Sequence, residues 1–280
     1  MSACCDLHCH SIFSDGTMTP SELVKLAEKQ NISALALTDH NTSLGLKEFI
    51  EAGKNSRVIT VPGCEFTCEW RKKEIHIVGL FFHEQYWQEI EDFLELTKIA
   101  KHNSNIKLIE KLNQDGYHFT IEEVEALSDG EFNRSHVARV LMNKGYVSDV
   151  KEAFNTLLKE GNGYYYPAKR LTTDAVIRFI KVYGAVAIMA HPLLNLTVSE
   201  LMEFLPEAKA VGLDAIETNY TEFDEEMTHT AISLAEKFDL LQSGGSDFHG
   251  ITKPGIDLGV GRGNLFVPFT FYKNLLRLVD

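Results

Sequence analysis

Asp6-Leu-His8-Cys-His10-Ser-Ile-Phe-Ser-Asp15-Gly16 is the stretch from which the fold is read. Two histidines at i and i+2 on an extended segment face the same way, because side chains alternate along a strand. Neutral imidazole is a common ligand for zinc, iron and related cations. Asp15, a further oxygen donor, stands just before a glycine that permits a tight turn. By itself the pattern is equally that of a strand end with two exposed histidines. Working outward, the chain keeps repeating one arrangement, an apolar run followed by a ligand-type residue.

After this first strand, Thr19-Pro20-Ser-Glu22 starts a helix, with Thr19 as N-cap, Pro20 at the first helical position and Glu22 closing a capping box. Ser33–Thr38 is a strand-length apolar run that ends in Asp39-His40. A helix over 43–54 leads to Val58–Val61 and Pro-Gly-Cys-Glu65, and Ile75-His76 starts another strand to Phe82. From about 84 the character changes to helices near 86–114, 121–128, 134–144 and 149–160. Alternation resumes with a helix at 172–183 and the strand Ala185–Ala190 before His191-Pro192. The strand Ala215–Thr218 and the run Leu240–Gly245 before Ser246-Asp247-Phe248-His249 complete the series, with helices near 198–209 and 224–238. Strands near 3, 33, 58, 75, 185, 214 and 240 count as seven βα-type units, which favours an α/β barrel of mainly parallel strands. The expected organisation is a barrel from 1–100 and 170–280, with a mostly helical insertion at 101–169 capping the active site. In such barrels the chemistry sits at the C-terminal ends of the strands.

The totals agree with an enzyme of this kind. The chain has 280 residues, 44% hydrophobic and 24% charged, a size at which one α/β barrel is common. No run approaches the ~20 apolar residues that span a bilayer. MSACCDLHCH has neither a basic n-region nor an apolar h-region, so a cytoplasmic location without membrane attachment is expected. The five cysteines (Cys4, Cys5, Cys9, Cys64, Cys68) are odd in number and clustered, which argues for reduced thiols over a disulfide framework. A formal charge of -13 disfavours binding of long nucleic acid, which needs a basic face, but not of a small phosphorylated substrate.

His8, His10, Asp15, His40, Glu65, His76, His191, Asp247 and His249 include six of the eleven histidines, mostly where an apolar run ends. Gathered without partners, such groups would cost several kcal/mol in desolvated charge, and cations resolve that cost. Nine ligands suit two or three divalent metal ions, with Glu65 able to bridge two of them. Mixed His/Asp/Glu donors accept Mn, Fe or Zn alike.

Taken together, DLHCHSIFSDG, LTDHNT, PGCEFT, IHIVG, AHP and GGSDFHG resemble the PHP (polymerase and histidinol phosphatase) superfamily of metal-dependent phosphoesterases over nearly the whole chain. The resemblance implies a distorted (β/α)7 barrel with a two- or three-metal centre. It implies one metal on His8, His10, Glu65 and Asp247, a second on Glu65, His76 and His191, and a third on Asp15, His40 and His249. Asn133-Arg134-Ser-His136-Val-Ala-Arg139 and the ending SDFHG with KPGIDLGVGRG are similar to the nucleoside 3′,5′-bisphosphate phosphatases, some of which also trim short 5′-phosphorylated RNA. Ser135 departs from that group's usual proline.

The expected reaction is hydrolysis of a phosphate monoester by metal-activated water. Arg134 suits a phosphate because a planar guanidinium pairs bidentately with its oxygens. His136 could bond a phosphate or protonate the leaving oxygen, although both residues could equally cap the helix that follows. Lys169, Arg170, Lys253 and Arg262 are further candidates for substrate contact. The competing readings are a histidinol-phosphate phosphatase, a metal-dependent amidohydrolase, and a non-catalytic accessory domain stabilised by metal.

Overall fold

The computed structural model describes residues 3–128 and 132–279. Two compact units divide the chain, one of Met1–Asp92 with Leu171–Asp280 and one of Phe93–Arg170. The first division, expected near residue 100, falls inside the helix Trp87–Gln114.

The first unit is built on seven strands, β1 (Cys4–Asp6), β2 (Ile32–Leu37), β3 (Ile59–Trp70), β4 (Lys73–Leu80), β5 (Val186–Met189), β6 (Ala215–Tyr220) and β7 (Leu241–Gly245). They form one sheet in chain order. Neighbours run parallel except at β4, which is antiparallel to both β3 and β5. The reason is local. Arg71 and Lys72 both take positive φ (48° and 68°) and close a two-residue hairpin, the turn geometry that matches strand twist. So β3 and β4 are joined without the helix that seven uniform βα units would require. The reversal turns the start of β4, and with it His76, toward the same end as the C-termini of the parallel strands.

The sheet curls into a nearly closed barrel. Beyond the last residues of β1, Leu7 N donates to Gly244 O at 3.1 Å, Asp247 N to His8 O at 2.9 Å and His10 N to Phe248 O at 2.9 Å. Side-chain alternation sorts the two faces. Along β2, Ala34 and Ala36 join the cluster of Cys5, Leu7, Val61, Val78 and Ile188, while Leu35 and Leu37 pack with Leu23, Val24 and Phe49. Small residues on one face and large ones on the other let a short-stranded barrel fill its interior. Tyr272 and Leu275, on a helix over Phe269–Leu276 that periodicity did not reveal, pack in that interior cluster. Cys5 N donates to Val267 O at 3.0 Å, so this helix lies at the beginning of β1, away from the ligand-bearing end.

Thr19 caps the helix Pro20–Lys29 with the capping box that its sequence implies. The five cysteines are free. Among the described residues no helix is long and apolar enough to cross a membrane.

The unit Phe93–Arg170 is helical and has its own core, in which Leu108, Leu112, Val124, Val137, Leu141 and Leu158 are buried together. Its helices include Ile121–Glu125, Arg134–Asn143 and Val150–Ala153, the last running on into a π-helical turn at Phe154–Leu158.

Asp6 is the tie that holds the barrel seam. Its fully buried carboxyl accepts from Ser246 N (2.9 Å), Ser246 Oγ (2.5 Å), Gly259 N (2.7 Å) and His8 N (3.3 Å). Burial pushes its pKa up, and those hydrogen bonds only partly offset the rise. Asp6→Ala strands these donors, so it is expected to destabilise the protein by about 3 kcal/mol in a urea titration. An unchanged midpoint would show that water replaces the carboxylate.

Candidate metal centre

Glu65 lies at the centre. Fully buried on β3, it turns Oε2 to His8 Nε2 (3.2 Å), His10 Nε2 (3.3 Å) and His40 Nδ1 (3.0 Å), and Oε1 to His76 Nδ1 (2.8 Å) and His191 Nε2 (3.1 Å). Asp247 Oδ1 stands 3.2 Å from His10 Nε2 and 3.6 Å from His8 Nε2. His249 Nε2 meets Asp15 Oδ1 at 3.1 Å, and His40 Nε2 meets Asp15 Oδ2 at 3.9 Å. All nine expected ligands therefore converge within the barrel unit.

Main-chain hydrogen bonds that extend the ladders past the strand ends bring them there. His40 bridges Glu65 in parallel fashion, with Glu65 N donating to Asp39 O and Asn41 N to Glu65 O. Ala190 N donates to His76 O at 3.0 Å, which sets the residue before His191. His191 and Asp247 themselves take φ of 29° and 52°, a region that side chains avoid and that persists where surrounding structure enforces it.

The donors fall into three sets, His8/His10/Glu65, His40/Glu65/His76 and His10/Asp15/His40/His249. The resemblance implied a third set without His10 and a second with His191. In the structure His10 is shared and His40 reaches toward both Glu65 and Asp15.

The set fits cations. His8 Nε2 and His10 Nε2 face each other at 3.1 Å. Donors on one cation at ~2.1 Å stand ~3.0–3.4 Å apart, and the spacings around His8 and His10 run close to that. Glu65 Oε2, His40 Nδ1, His76 Nε2 and His249 Nε2 are buried without a hydrogen-bond partner. Buried donor atoms without a well-aligned hydrogen bond suit metal ligands, whose lone pairs are directed at a cation.

Several rings are already aimed. A carboxylate can only accept, so Glu217 Oε1 at 2.8 Å makes His8 Nδ1 the protonated nitrogen and leaves Nε2 for a metal. Asn195 Oδ1 does the same for His191 Nδ1, as does the Asp247 carbonyl for His249 Nδ1, each at 2.8 Å. Asp247 Oδ2 accepts from Tyr220 Oη and Lys253 Nζ, both at 2.7 Å, which leaves Oδ1 for the cluster. Asp39 Oδ1 accepts from Ser11 N and Ser14 Oγ, and Oδ2 from Ser11 Oγ, holding the loop that carries Asp15. Asp39, Glu217, Tyr220 and Asn195 were not singled out in the sequence. An acidic residue amid the buried β6 run Ala215–Tyr220 was the available signal for Glu217.

Charge without metal is kept in balance by proton sharing. Burial opposes a charged His8, yet Glu65, Glu217 and Asp247 hold its pKa well above normal. Burial likewise opposes His10, which Asp247 and Glu65 raise to about 9, and His76, which Glu65 raises to about 10. Burial and the neighbouring His10 and His76 push His40 down to about 4 despite Glu65. Burial works against the carboxylates too, but imidazoles keep Glu65 and Asp247 well below the ordinary range, and Asp15 at about 2.

Of the expected substrate contacts, Arg262 pairs with Glu222 at 2.7 Å. Arg134, His136 and Lys169 belong to the helical unit. There Arg134 donates to Leu158 O at 3.1 Å with its guanidinium 4.1 Å over the Tyr165 ring, and His136 Nδ1 accepts from Asn133 N in a capping box. Lys169 is exposed.

The PHP domain model matches residues 6–166 of this chain. The chain belongs to the PHP family. Among its relatives is a protein of Haemophilus influenzae named 5′-3′ exoribonuclease, 34% identical over 245 residues, which are 87% of this chain and 89% of the relative. Another is a 3′,5′-nucleoside bisphosphate phosphatase of Chromobacterium violaceum, 26% identical over 91% of this chain and 90% of the relative. The structure is similar to that of a protein from Bifidobacterium adolescentis assigned as a metal-dependent phosphoesterase, with TM-score 0.76, 28% identity, and 98% and 96% of the two chains covered. This PHP protein is accordingly a hydrolase, a metal-dependent phosphoesterase.

Metal loading must displace the protons held by His10 and His76. Adding Mn²⁺ to chelator-stripped protein near neutral pH is expected to release protons, detectable with an indicator dye. Apparent affinity should climb with pH, and the release should fall as pH rises past about 9 and then about 10, where His10 and His76 in turn have already lost their protons. Metal uptake without proton release would show that the histidines bind as neutral groups throughout.

Proposed function

We propose that this PHP enzyme cleaves the bond between phosphorus and the 3′-oxygen of a 5′-phosphorylated nucleoside. In a nucleoside 3′,5′-bisphosphate that bond belongs to a monoester, and cleavage yields inorganic phosphate. In a short 5′-phosphorylated RNA it belongs to the first internucleotide diester, and cleavage frees the terminal nucleotide. Both reactions add water across the same P–O bond and return a 3′-hydroxyl. One site can thus serve both substrates named among its relatives.

The observation that carries the reading is Glu65, one buried carboxylate within 3.3 Å of a nitrogen on each of five imidazoles. When bound there, two or three divalent cations (Mn, Fe or Zn) supply an activated water and neutralise phosphoryl charge. His8, His10, Glu65 and Asp247 would hold one, Glu65, His76 and His191 another, and Asp15, His40 and His249 a third. The protein's own part is orientation. Glu217, Asn195 and the Asp247 carbonyl fix which imidazole nitrogen faces inward. Tyr220, its pKa raised by burial and by Asp247, stays protonated and donates to Asp247 Oδ2. The phosphate-holding roles of Arg134, His136, Lys169 and Arg262 belong to the same proposal. So does a cytoplasmic setting with small nucleotides rather than long nucleic acid.

The test is product release by Mn²⁺-reconstituted protein from adenosine 3′,5′-bisphosphate, from a 5′-phosphorylated trinucleotide, and from histidinol phosphate. Selective turnover of the first two, lost when the trinucleotide lacks its 5′-phosphate, is the expected result. Turnover of histidinol phosphate alone would overturn the substrate assignment. The double variant His8→Ala/His10→Ala should fold and lose activity by at least ~100-fold. An inactive wild type whose melting temperature nonetheless depends on metal would instead make the centre structural.

A further inference from the structure

Glu217 has no place in the ligand set, yet it is buried. Only 1% exposed, it projects from β6 between Ala215, Ile216 and Thr218, which are fully buried. A charged carboxylate at such a position costs several kcal/mol unless both oxygens are engaged. Both are. Oε1 lies 2.8 Å from His8 Nδ1, and Oε2 accepts from the main-chain N–H of His191 at 2.7 Å. His191 is the residue whose backbone is held at φ 29°, ψ 55°, and the two imidazole rings stack with centroids 5.9 Å apart.

We propose that Glu217 is a positioning residue that clamps His8 and His191 together, so that one carboxylate sets two ligands assigned to different metals. The clamp acts twice. On His8 it selects the tautomer with Nε2 free and fixes the ring's rotation. On His191 it pins an unfavourable backbone conformation, from which Nε2 reaches Glu65 at 3.1 Å. Asn195 takes the His191 Nδ1 side at 2.8 Å, so Glu217 is needed for the backbone and not for the ring. An amide at position 217 cannot do both jobs. One end of Gln would present N–H groups either to the His191 N–H or to the protonated His8 Nδ1. This inference rests on the cluster holding divalent metal.

The experiment is a titration of chelator-stripped protein with Mn²⁺, following free Mn²⁺ by its electron paramagnetic resonance signal, for wild type, Glu217→Gln and Glu217→Asp. Outer partners of metal-bound histidines typically contribute 10–100-fold to affinity, and E217Q is expected to weaken Mn²⁺ binding by about that factor. E217D keeps the charge but is one methylene short of spanning both groups, so it should lose at least about threefold. Near-UV circular dichroism and a urea midpoint establish that each variant is folded. A merely structural Glu217 would lower the midpoint and leave the Mn²⁺ dissociation constant of the folded protein unchanged, which overturns the proposal. Should E217Q fail to fold, equal affinities of E217D and wild type would overturn it in the same way. Absence of Mn²⁺ binding by wild type would instead remove the metal reading itself.

Discussion

Everything in the barrel unit is arranged around the burial of one carboxylate, that of Glu65, amid five imidazoles. Left to itself this group would be costly, since a buried anion needs partners and several of the surrounding nitrogens are orphaned. Two ways out exist, protons and cations, and they compete for the same atoms. The raised pKa values of His10 and His76 belong to the first, and the donor spacings suit the second. The same constraint explains the strand ends. A ligand can meet Glu65 only if its strand stops at the right level, and the ladders running past β1, β2 and β5 enforce that level through main-chain bonds.

The outer partners make the arrangement rigid. Asp6, Asp39 and Glu217 are buried acids, none of them aimed at the centre. Asp6 joins the seam between β1 and β7, Asp39 holds the loop carrying Asp15, and Glu217 joins His8 to His191. Each resolves its own burial cost by accepting several hydrogen bonds, and in doing so removes freedom from a ligand. Strain at His191 and Asp247 is tolerated because these bonds over-determine the backbone there.

Much of this could be read from the residues. His8, His10, His40, His191, Asp247 and His249 follow apolar runs, and strand-length apolar runs alternating with helices located the seven strands. The hairpin at Arg71-Lys72 was hidden, because neither residue carries the Asn-Gly signature of such turns, and the long reach of β3 to Trp70 was hidden with it. The helix Phe269–Leu276 was missed since its apolar residues are too many for a clear stripe. Outer partners such as Glu217 and Asn195 leave only a faint trace, as one polar residue in a strand or loop reads like many others. For Arg134 and His136 both readings were open, and in the structure each is engaged within its helical unit, the one on Tyr165 and Leu158, the other as a cap.

The division into units has a chemical consequence. All nine expected ligands lie in the barrel unit, which the chain leaves after Asp92 and re-enters at Leu171. Across that excursion β4 and β5 still pair directly, Leu80 opposite Val186 and Ile77 opposite Met189. The sheet therefore does not register the length of what is inserted between them. Loop closure adds only ~0.6 kcal/mol for each doubling of length, a small charge against a ladder. With its own buried core, the helical unit is free to change in sequence without altering the spacing around Glu65.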